Sequence, residues 1–182
     1  MIMMTAPVQA MSLTDQVKLI KNTYTTCGKY GVKCNVKVID TKQLIAQSNI
    51  NNEIKYSTGI LDYLSYNQMR SVAYHEIAHL KLKHSEKTRD LLFSSFQHNK
   101  RIPRWIYIQH KHNNEYQADW LASYMMLTDN IPNHLDTALL LLTPQQHYYK
   151  QSVSHPSTYN RVRMIHNYKQ APNTFKPIKS FR

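Results

Sequence analysis

The sequence lacks any long apolar run. A helix that spans a bilayer needs about 20 mainly apolar residues, whereas the longest apolar stretch here is residues 138–142. The first ten residues have neither a basic segment nor a long apolar core, so we expect no signal peptide in them. We therefore expect no transmembrane segment. The compartment stays open between the cytoplasm and export with a removed signal.

Acidic residues are also few. The chain has 11 Asp and Glu against 23 Lys and Arg, which gives a formal net charge of +12. Such a balance can favour nucleic acid, anionic lipid or acidic proteins as partners. The basic residues are spread along the chain without a run of five or an interleaved basic-aromatic motif. Nucleic-acid binding is therefore the weaker interpretation, and a basic surface without a specific partner is the simpler one.

Cysteine occurs only twice, as Cys27 and Cys34. The glycines between them could turn the chain back and bring the two sulfurs within disulfide range. A disulfide and two separate thiols are equally compatible with this segment.

Length and composition predict one globular domain. The chain has 182 residues, of which 42% are hydrophobic and 19% charged, a balance that can bury a core. We assign residues 1–182 to a single domain and expect 1–11 and 170–182 to be flexible arms. The sequence shows no internal repeat.

Hydrophobic spacing predicts a mainly helical α+β fold with a small sheet. Apolar residues recur at helical spacing in five segments, which are 13–24, 67–84, 104–127, 134–142 and 158–167. Period-two alternation predicts strands at 32–39 and 54–58, with a further strand at 43–47. We expect the strand at 54–58 to lie at the edge of the sheet.

Residues 75–79 form an H-E-x-x-H motif within the predicted helix over 67–84. Because four residues advance a helix by just over one turn, His75 and His79 can bind a single zinc ion. Glu76 can reach the zinc-activated water, take its proton and later pass that proton to the leaving amine. The motif predicts metal-assisted amide hydrolysis, with the alternative that both rings are ordinary side chains of a His-rich helix.

A catalytic zinc site needs a third protein ligand and an open position. Glu115 and Asp119 place two carboxylates at i and i+4 on one helical face, which is repulsive unless a cation lies there. We predict that Glu115 is the third ligand and that Asp119 orients one of the ligating histidines. The sequence thus predicts one zinc ion per chain.

Two other histidines lie close to these motifs. His112 precedes Glu115 by three residues on the predicted helix and is an alternative third ligand. His84 stands at the end of a predicted helix among lysines, which favours a solvated or capping residue. We leave His84 out of the predicted site.

Three stretches of the sequence resemble gluzincin zinc metallopeptidases of the HtpX and type I CAAX prenyl protease group, metallopeptidase family forty-eight. They are residues 57–84 with the H-E-x-x-H motif, Glu115-x-x-Ala-Asp-x-x-Ala122, and Ser-His-Pro-Ser at 154–157 followed by Arg161. The stretches occur in the order expected of that family and span roughly residues 54–164. The chain differs from the membrane-embedded members because it has no predicted transmembrane helices, which puts membrane-integral substrates in doubt.

The resemblance implies a zinc endopeptidase in which a small sheet packs on the zinc helix and a peptide substrate adds along its edge strand. It implies zinc ligation by His75, His79 and Glu115, with Glu76 as general base and acid. It implies an edge strand for substrate made of Ile54, Lys55, Tyr56 and Ser57.

The same resemblance implies that His155 and Arg161 line the site. His155 would donate a hydrogen bond to the tetrahedral oxyanion or the substrate. The alternative for His155 is a loop histidine before proline. For Arg161, an ion pair with Asp119 and a contact with substrate are equally compatible with the sequence.

Three other functions remain open at this point. An ImmA/IrrE-like regulatory protease also combines H-E-x-x-H with a Glu-x-x-Ala helix, but it lacks the His-Pro-Ser and arginine element. A DNA-associated SprT-like protease suits the net charge, but its third ligand is expected to be histidine. A zinc-binding chaperone-like module without turnover would tolerate the loss of Glu76, which this sequence retains.

Overall fold

Seven helices and a three-stranded sheet make up the part of the chain that the computed structural model describes, residues 11–170. The elements in chain order are α1 Leu13–Lys29, β1 Asn35–Ile39, β2 Ala46–Ser48, β3 Glu53–Ser57, α2 Thr58–Tyr63, α3 Tyr66–Lys81, α4 His84–Gln97, α5 Arg104–Thr128, α6 Leu135–Leu142 and α7 Thr158–Gln170. A short 3-10 turn, Gln145–His147, lies between α6 and α7. The prediction of a mainly helical α+β domain is confirmed.

The arms predicted at the two chain ends lie outside the described residues, apart from their innermost positions. Met11 is buried in the core, and Gln170 is the last residue of α7. None of the helices within residues 11–170 has the length and apolar character needed to cross a membrane.

The sheet has the order β1-β3-β2, with β1 parallel and β2 antiparallel to β3. The prediction that Ile54, Lys55, Tyr56 and Ser57 form an edge strand is therefore wrong. β3 is the central strand, and its backbone is hydrogen-bonded on both sides, which leaves no free edge for a substrate. The alternation of its side chains buries Ile54 and Tyr56 completely, but such alternation does not reveal strand order. The edge that packs against α3 belongs to β2.

The core is centred on α3, which is buried on nearly all sides. A capping box between Ser65 and Gln68 starts the helix. Ala118 and Ala122, one turn apart on α5, are fully buried and allow the α5 backbone to approach α3 closely. This approach brings Glu115, three residues before Ala118, to the same face as the H-E-x-x-H motif.

The helix predicted over 67–84 ends earlier than expected and is followed by a second helix. Lys83 adopts a left-handed backbone conformation with φ 55°, and α4 begins at the next residue, His84. No glycine or proline marks this break, so the sequence pattern did not predict α4. The short helix α2 was not predicted either.

Cys27 and Cys34 form a disulfide with a Cα–Cα distance of 6.2 Å, which decides between the two alternatives that the sequence left open. The bond joins the last turn of α1 to the segment that leads into β1. Gly31, with φ 66°, provides the left-handed turn between them.

Candidate metal centre

The side chains of His75, His79 and Glu115 converge at the centre of the molecule and could hold a metal ion. The Nε2 atoms of the two histidines are 2.9 Å apart. Nε2 of His75 lies 3.5 Å from Oε2 of Glu115, and Nε2 of His79 lies 3.5 Å from Oε1 of the same carboxylate. Two ligands of a tetrahedral zinc ion, each about 2.1 Å from the metal, are about 3.4 Å apart. The two nitrogen–oxygen distances match this spacing, and the two nitrogens lie closer together than it.

The charges around this cluster favour a cation. Asp119 is completely buried, and its Oδ1 atom lies 2.9 Å from Nδ1 of His75. Although burial acts in the opposite direction, Asp119 and Glu115 raise the pKa of His75 to about 10. The two carboxylates thus stabilise positive charge at this position, which is the charge that a metal ion provides.

Arg161 binds the carboxylates of both Asp119 and Glu115. Its guanidinium donates two hydrogen bonds to Asp119, at 2.7 and 2.8 Å. A third nitrogen lies 3.1 Å from Oε2 of Glu115. Burial opposes ionisation of Glu115, but the charges of Arg161 and the histidines hold the pKa of that carboxyl well below its usual value. Of the two roles considered for Arg161, the structure shows the ion pair with Asp119.

His79 is oriented by a chain of polar side chains that the sequence did not indicate. Its Nδ1 atom lies 2.8 Å from Nδ1 of His84, and Nε2 of His84 lies 3.2 Å from the amide oxygen of Gln117. Burial lowers the pKa of His84 to about 4, so this ring is neutral and one of its nitrogens can accept a hydrogen bond. His84 is therefore a buried partner of a candidate ligand and not the solvated residue that we expected. The break at Lys83 turns α4 back on α3 and creates this contact.

Glu76 is buried beside the metal cluster, 6% exposed. Burial raises the pKa of its carboxyl group, against the opposing effects of His75 and of hydrogen bonds with Ser48. Glu76 is thus linked to β2 through Ser48, one of the residues of the edge strand.

A single cleft of about 1320 Å³ gives access to the candidate ligands and to Glu76. One wall is the edge of the sheet at residues 44–50, and another includes residues 84–93 of α4 and the end of α6. Apolar side chains contribute to both walls, among them Leu44, Leu92 and Leu139. A cleft of this size accommodates an extended peptide segment.

The loop before α7 brings His155 to the rim of the cleft. Its Nε2 atom lies 4.0 Å from Glu115, and its side chain is 58% exposed. His112 interacts with this loop, because its Nε2 atom lies 2.8 Å from the carbonyl oxygen of Ser152. His112 is therefore engaged outside the metal cluster and does not replace Glu115 as a candidate ligand.

The edge strand β2 was assigned to the sheet from sequence, but not to the cleft. Ser57 and Asn49 donate backbone hydrogen bonds across the β2–β3 pair, to the carbonyls of Ile45 and Glu53 respectively. The backbone N–H and C=O groups of Gln47 thus point toward β3, whereas those of Ala46 and Ser48 point away from it. Because Ser48 forms hydrogen bonds with Glu76, Ala46 offers the groups that a strand added from the cleft would meet.

No protein-family model matches the chain, and no curated protein shows significant similarity to it. The functional interpretation therefore depends on the site itself.

Proposed function

We propose that this protein is a zinc-dependent endopeptidase of the gluzincin type. The observation that carries the proposal is the convergence of two imidazoles and one carboxylate, with one ligand atom from each within 4.8 Å of the others, beside a buried glutamate in a cleft of peptide size. His75, His79 and Glu115 would hold the zinc ion. When bound, zinc supplies a Lewis acid that polarises the attacking water and the substrate carbonyl.

Glu76 acts as the general base and then as the general acid. Its pKa is raised by burial, which brings the carboxyl group closer to the range in which it can both accept and release a proton near neutral pH. The carboxylate takes a proton from the attacking water and transfers it to the nitrogen of the scissile amide. Proton transfer of this kind contributes about 10²- to 10⁴-fold to the rate.

The substrate binds in an extended conformation along β2. Its backbone pairs with the outward-facing groups of Ala46, and its side chains contact the apolar walls of the cleft. Strand addition requires a free edge, and β2 has one on the side of the cleft whereas β3 has none. This arrangement replaces the strand at 54–57 as the site of substrate pairing.

His155 donates a hydrogen bond to the developing oxyanion. Its ring is exposed at the rim of the cleft and lies close to Glu115, which suits a group that meets the substrate. Arg161 acts on the reaction indirectly, since it binds the proposed ligand Glu115 and Asp119, the carboxylate beside the proposed ligand His75.

The proposal is tested by measuring zinc and peptidase activity on the same preparations. We expect about one zinc ion per chain in the wild type and much less in Glu115→Ala, by elemental analysis. Glu76→Gln should retain its zinc and lose at least about a hundredfold in cleavage of an unstructured protein substrate. Glu86→Gln, the same chemical change on α4, is the matched control and should behave as the wild type.

The alternative functions predict other results in these zinc and activity measurements. A chaperone-like zinc module would bind zinc without any activity that Glu76→Gln removes. A SprT-like protease would need nucleic acid for activity, with a strong dependence on salt. A wild type without zinc, or a Glu115→Ala variant that keeps it, would exclude the proposed ligand set.

A further inference from the structure

Helices α4 and α5 form a hairpin whose tip projects apolar side chains into solvent. We define the hairpin tip as residues 96–105, which run from the end of α4 to the start of α5. Phe96 is 83% exposed and Trp105 is 69% exposed. Leu92 and Phe93, closer to the start of α4, are also exposed, but they line the cleft and are not part of the tip. Clustered exposed apolar side chains of this size generally mark an interaction surface.

The charge of the hairpin tip has one sign. It contains Lys100, Arg101 and Arg104 and no acidic residue. All three basic side chains belong to exposed residues, and none forms an ion pair with another residue in the described range 11–170. The acidic residue of α4 nearest to the tip is Asp90, which is paired with Arg89. The tip therefore combines unpaired positive charge with aromatic side chains.

The turn at the tip is structured. The backbone N–H of Lys100 donates to the carbonyl of Ser95, and that of Asn99 donates to Phe96, while Asn99 adopts a left-handed conformation. Pro103 precedes the first turn of α5. The apolar and basic side chains are thus presented from a structured turn, so docking costs little backbone entropy.

We propose that the hairpin tip is a docking surface for the anionic face of a lipid bilayer. Aromatic side chains beside Lys and Arg are the composition that segments lying in a bilayer interface share. The convex end of a helical hairpin can enter the headgroup layer without burying the rest of the domain. Single-stranded nucleic acid is the competing partner that the test must exclude, because bases can stack on aromatic side chains beside basic residues.

Both arms of the hairpin lead directly to the candidate metal centre. α4 starts at His84, the partner of His79. On α5, Glu115 lies 11 residues after Arg104, which is about 16 Å along a helix. Docking through the tip would hold the cleft near the bilayer surface, where membrane-proximal segments of other proteins are accessible. The proposal does not depend on the proposed function, since vesicle binding is measured without turnover.

The test is co-sedimentation with vesicles of phosphatidylcholine containing 30% phosphatidylglycerol, compared with pure phosphatidylcholine. We expect binding to the anionic vesicles and at least tenfold weaker binding to the neutral ones. The variant Lys100→Gln/Arg101→Gln/Arg104→Gln should lose about a hundredfold in affinity, because each basic residue near an anionic surface contributes about fivefold. Phe96→Ser/Trp105→Ser, which keeps every charge, should lose more than tenfold.

Matched variants elsewhere on the surface distinguish docking through the tip from nonspecific attraction of the basic protein to anionic vesicles. Lys18→Gln/Lys21→Gln/Lys33→Gln removes the same charge from the region of α1, and Leu13→Ser/Leu127→Ser removes two other exposed apolar side chains. Both should bind within about threefold of the wild type. In a Trp120→Phe background, the fluorescence of Trp105 should shift to shorter wavelength on anionic vesicles.

The proposal is overturned if Phe96→Ser/Trp105→Ser binds as the wild type does, because charge alone would then explain adsorption. It is also overturned if the α1 charge variant loses as much affinity as the tip variant, or if the wild type binds single-stranded nucleic acid more tightly than anionic vesicles.

Discussion

Nδ1 of His84 lies 2.8 Å from Nδ1 of His79, so a histidine from the start of α4 supports a candidate ligand on α3. A histidine that binds zinc through Nε2 carries its proton on Nδ1 and needs an acceptor for it. The neutral His84 ring provides that acceptor, and its own second nitrogen is satisfied by Gln117. The orientation of the ligand thus depends on two residues outside the H-E-x-x-H motif.

We predict that His84→Ala weakens zinc binding by about 10- to 100-fold, because His79 loses the partner that fixes its tautomer and ring orientation. Competition with a chromogenic chelator measures the change. His98→Ala, an exposed histidine just after α4, is the control and should leave the affinity unchanged. An unaltered affinity in His84→Ala would mean that the contact has no role in metal binding.

Arg161→Ala should lower the free energy of unfolding by about 3–5 kcal/mol, because it leaves the buried carboxylates of Asp119 and Glu115 without their main cationic partner. Added zinc should recover part of this loss, since the ion supplies positive charge at the same place. Urea unfolding with and without zinc measures both effects. Arg163→Ala, on an exposed position of the same helix, should change the stability by less than about 1 kcal/mol.

The candidate ligand set was predictable from the sequence because its residues are related by short-range helical spacing. Helical periodicity alone places His75 and His79 on one face, and the same rule places Glu115 and Asp119 together on another helix. Strand order is not local: alternation correctly predicted that Ile54 and Tyr56 would be buried, but nothing in it shows that β2 returns to the outer side of β3. The role of His84 was missed for a similar reason, because it depends on a helix break at a lysine.

Ala46→Pro should reduce kcat/KM by at least about fivefold. The substitution removes an N–H group that points into the cleft and is not needed for pairing with β3, so a substrate strand loses one backbone hydrogen bond. Ala46→Ser keeps the N–H group and should retain activity. Equal kcat/KM for the proline variant and the wild type would show that substrate does not pair with β2 at this residue.

Gly59→Ala should destabilise the fold by about 1–3 kcal/mol. A Cβ atom at this position would lie 2.5 Å from the carbonyl oxygen of Lys42, which is backbone and cannot move alone. The displaced segment leads into β2, so the cleft wall should shift as well. Gly28→Ala is the matched control, because a Cβ atom there would have no neighbour within 4 Å and the helix gains a better helix former. Thermal unfolding of both variants tests whether the close approach of Gly59 to Lys42 causes the loss of stability.

Asp129 should make the protein sensitive to acid. Partial burial opposes its ionisation, but hydrogen bonds from Lys29, Tyr74 and Tyr30 hold the pKa of this carboxyl below its usual value. A lowered pKa in the folded state stabilises the protein above the unfolded value of about 3.9, and this stabilisation is lost as the pH falls through the lower folded value.

The difference in free energy of unfolding between wild type and Asp129→Asn should therefore be constant above about pH 5 and shrink as the pH is lowered from there. Urea unfolding at a series of pH values measures it, and other carboxylates affect both proteins equally and cancel in the difference. Asp62→Asn, at an exposed position on α2, serves as the control. A difference that stays the same down to about pH 2 would show that Asp129 does not link α1, α3 and α5 through its charge.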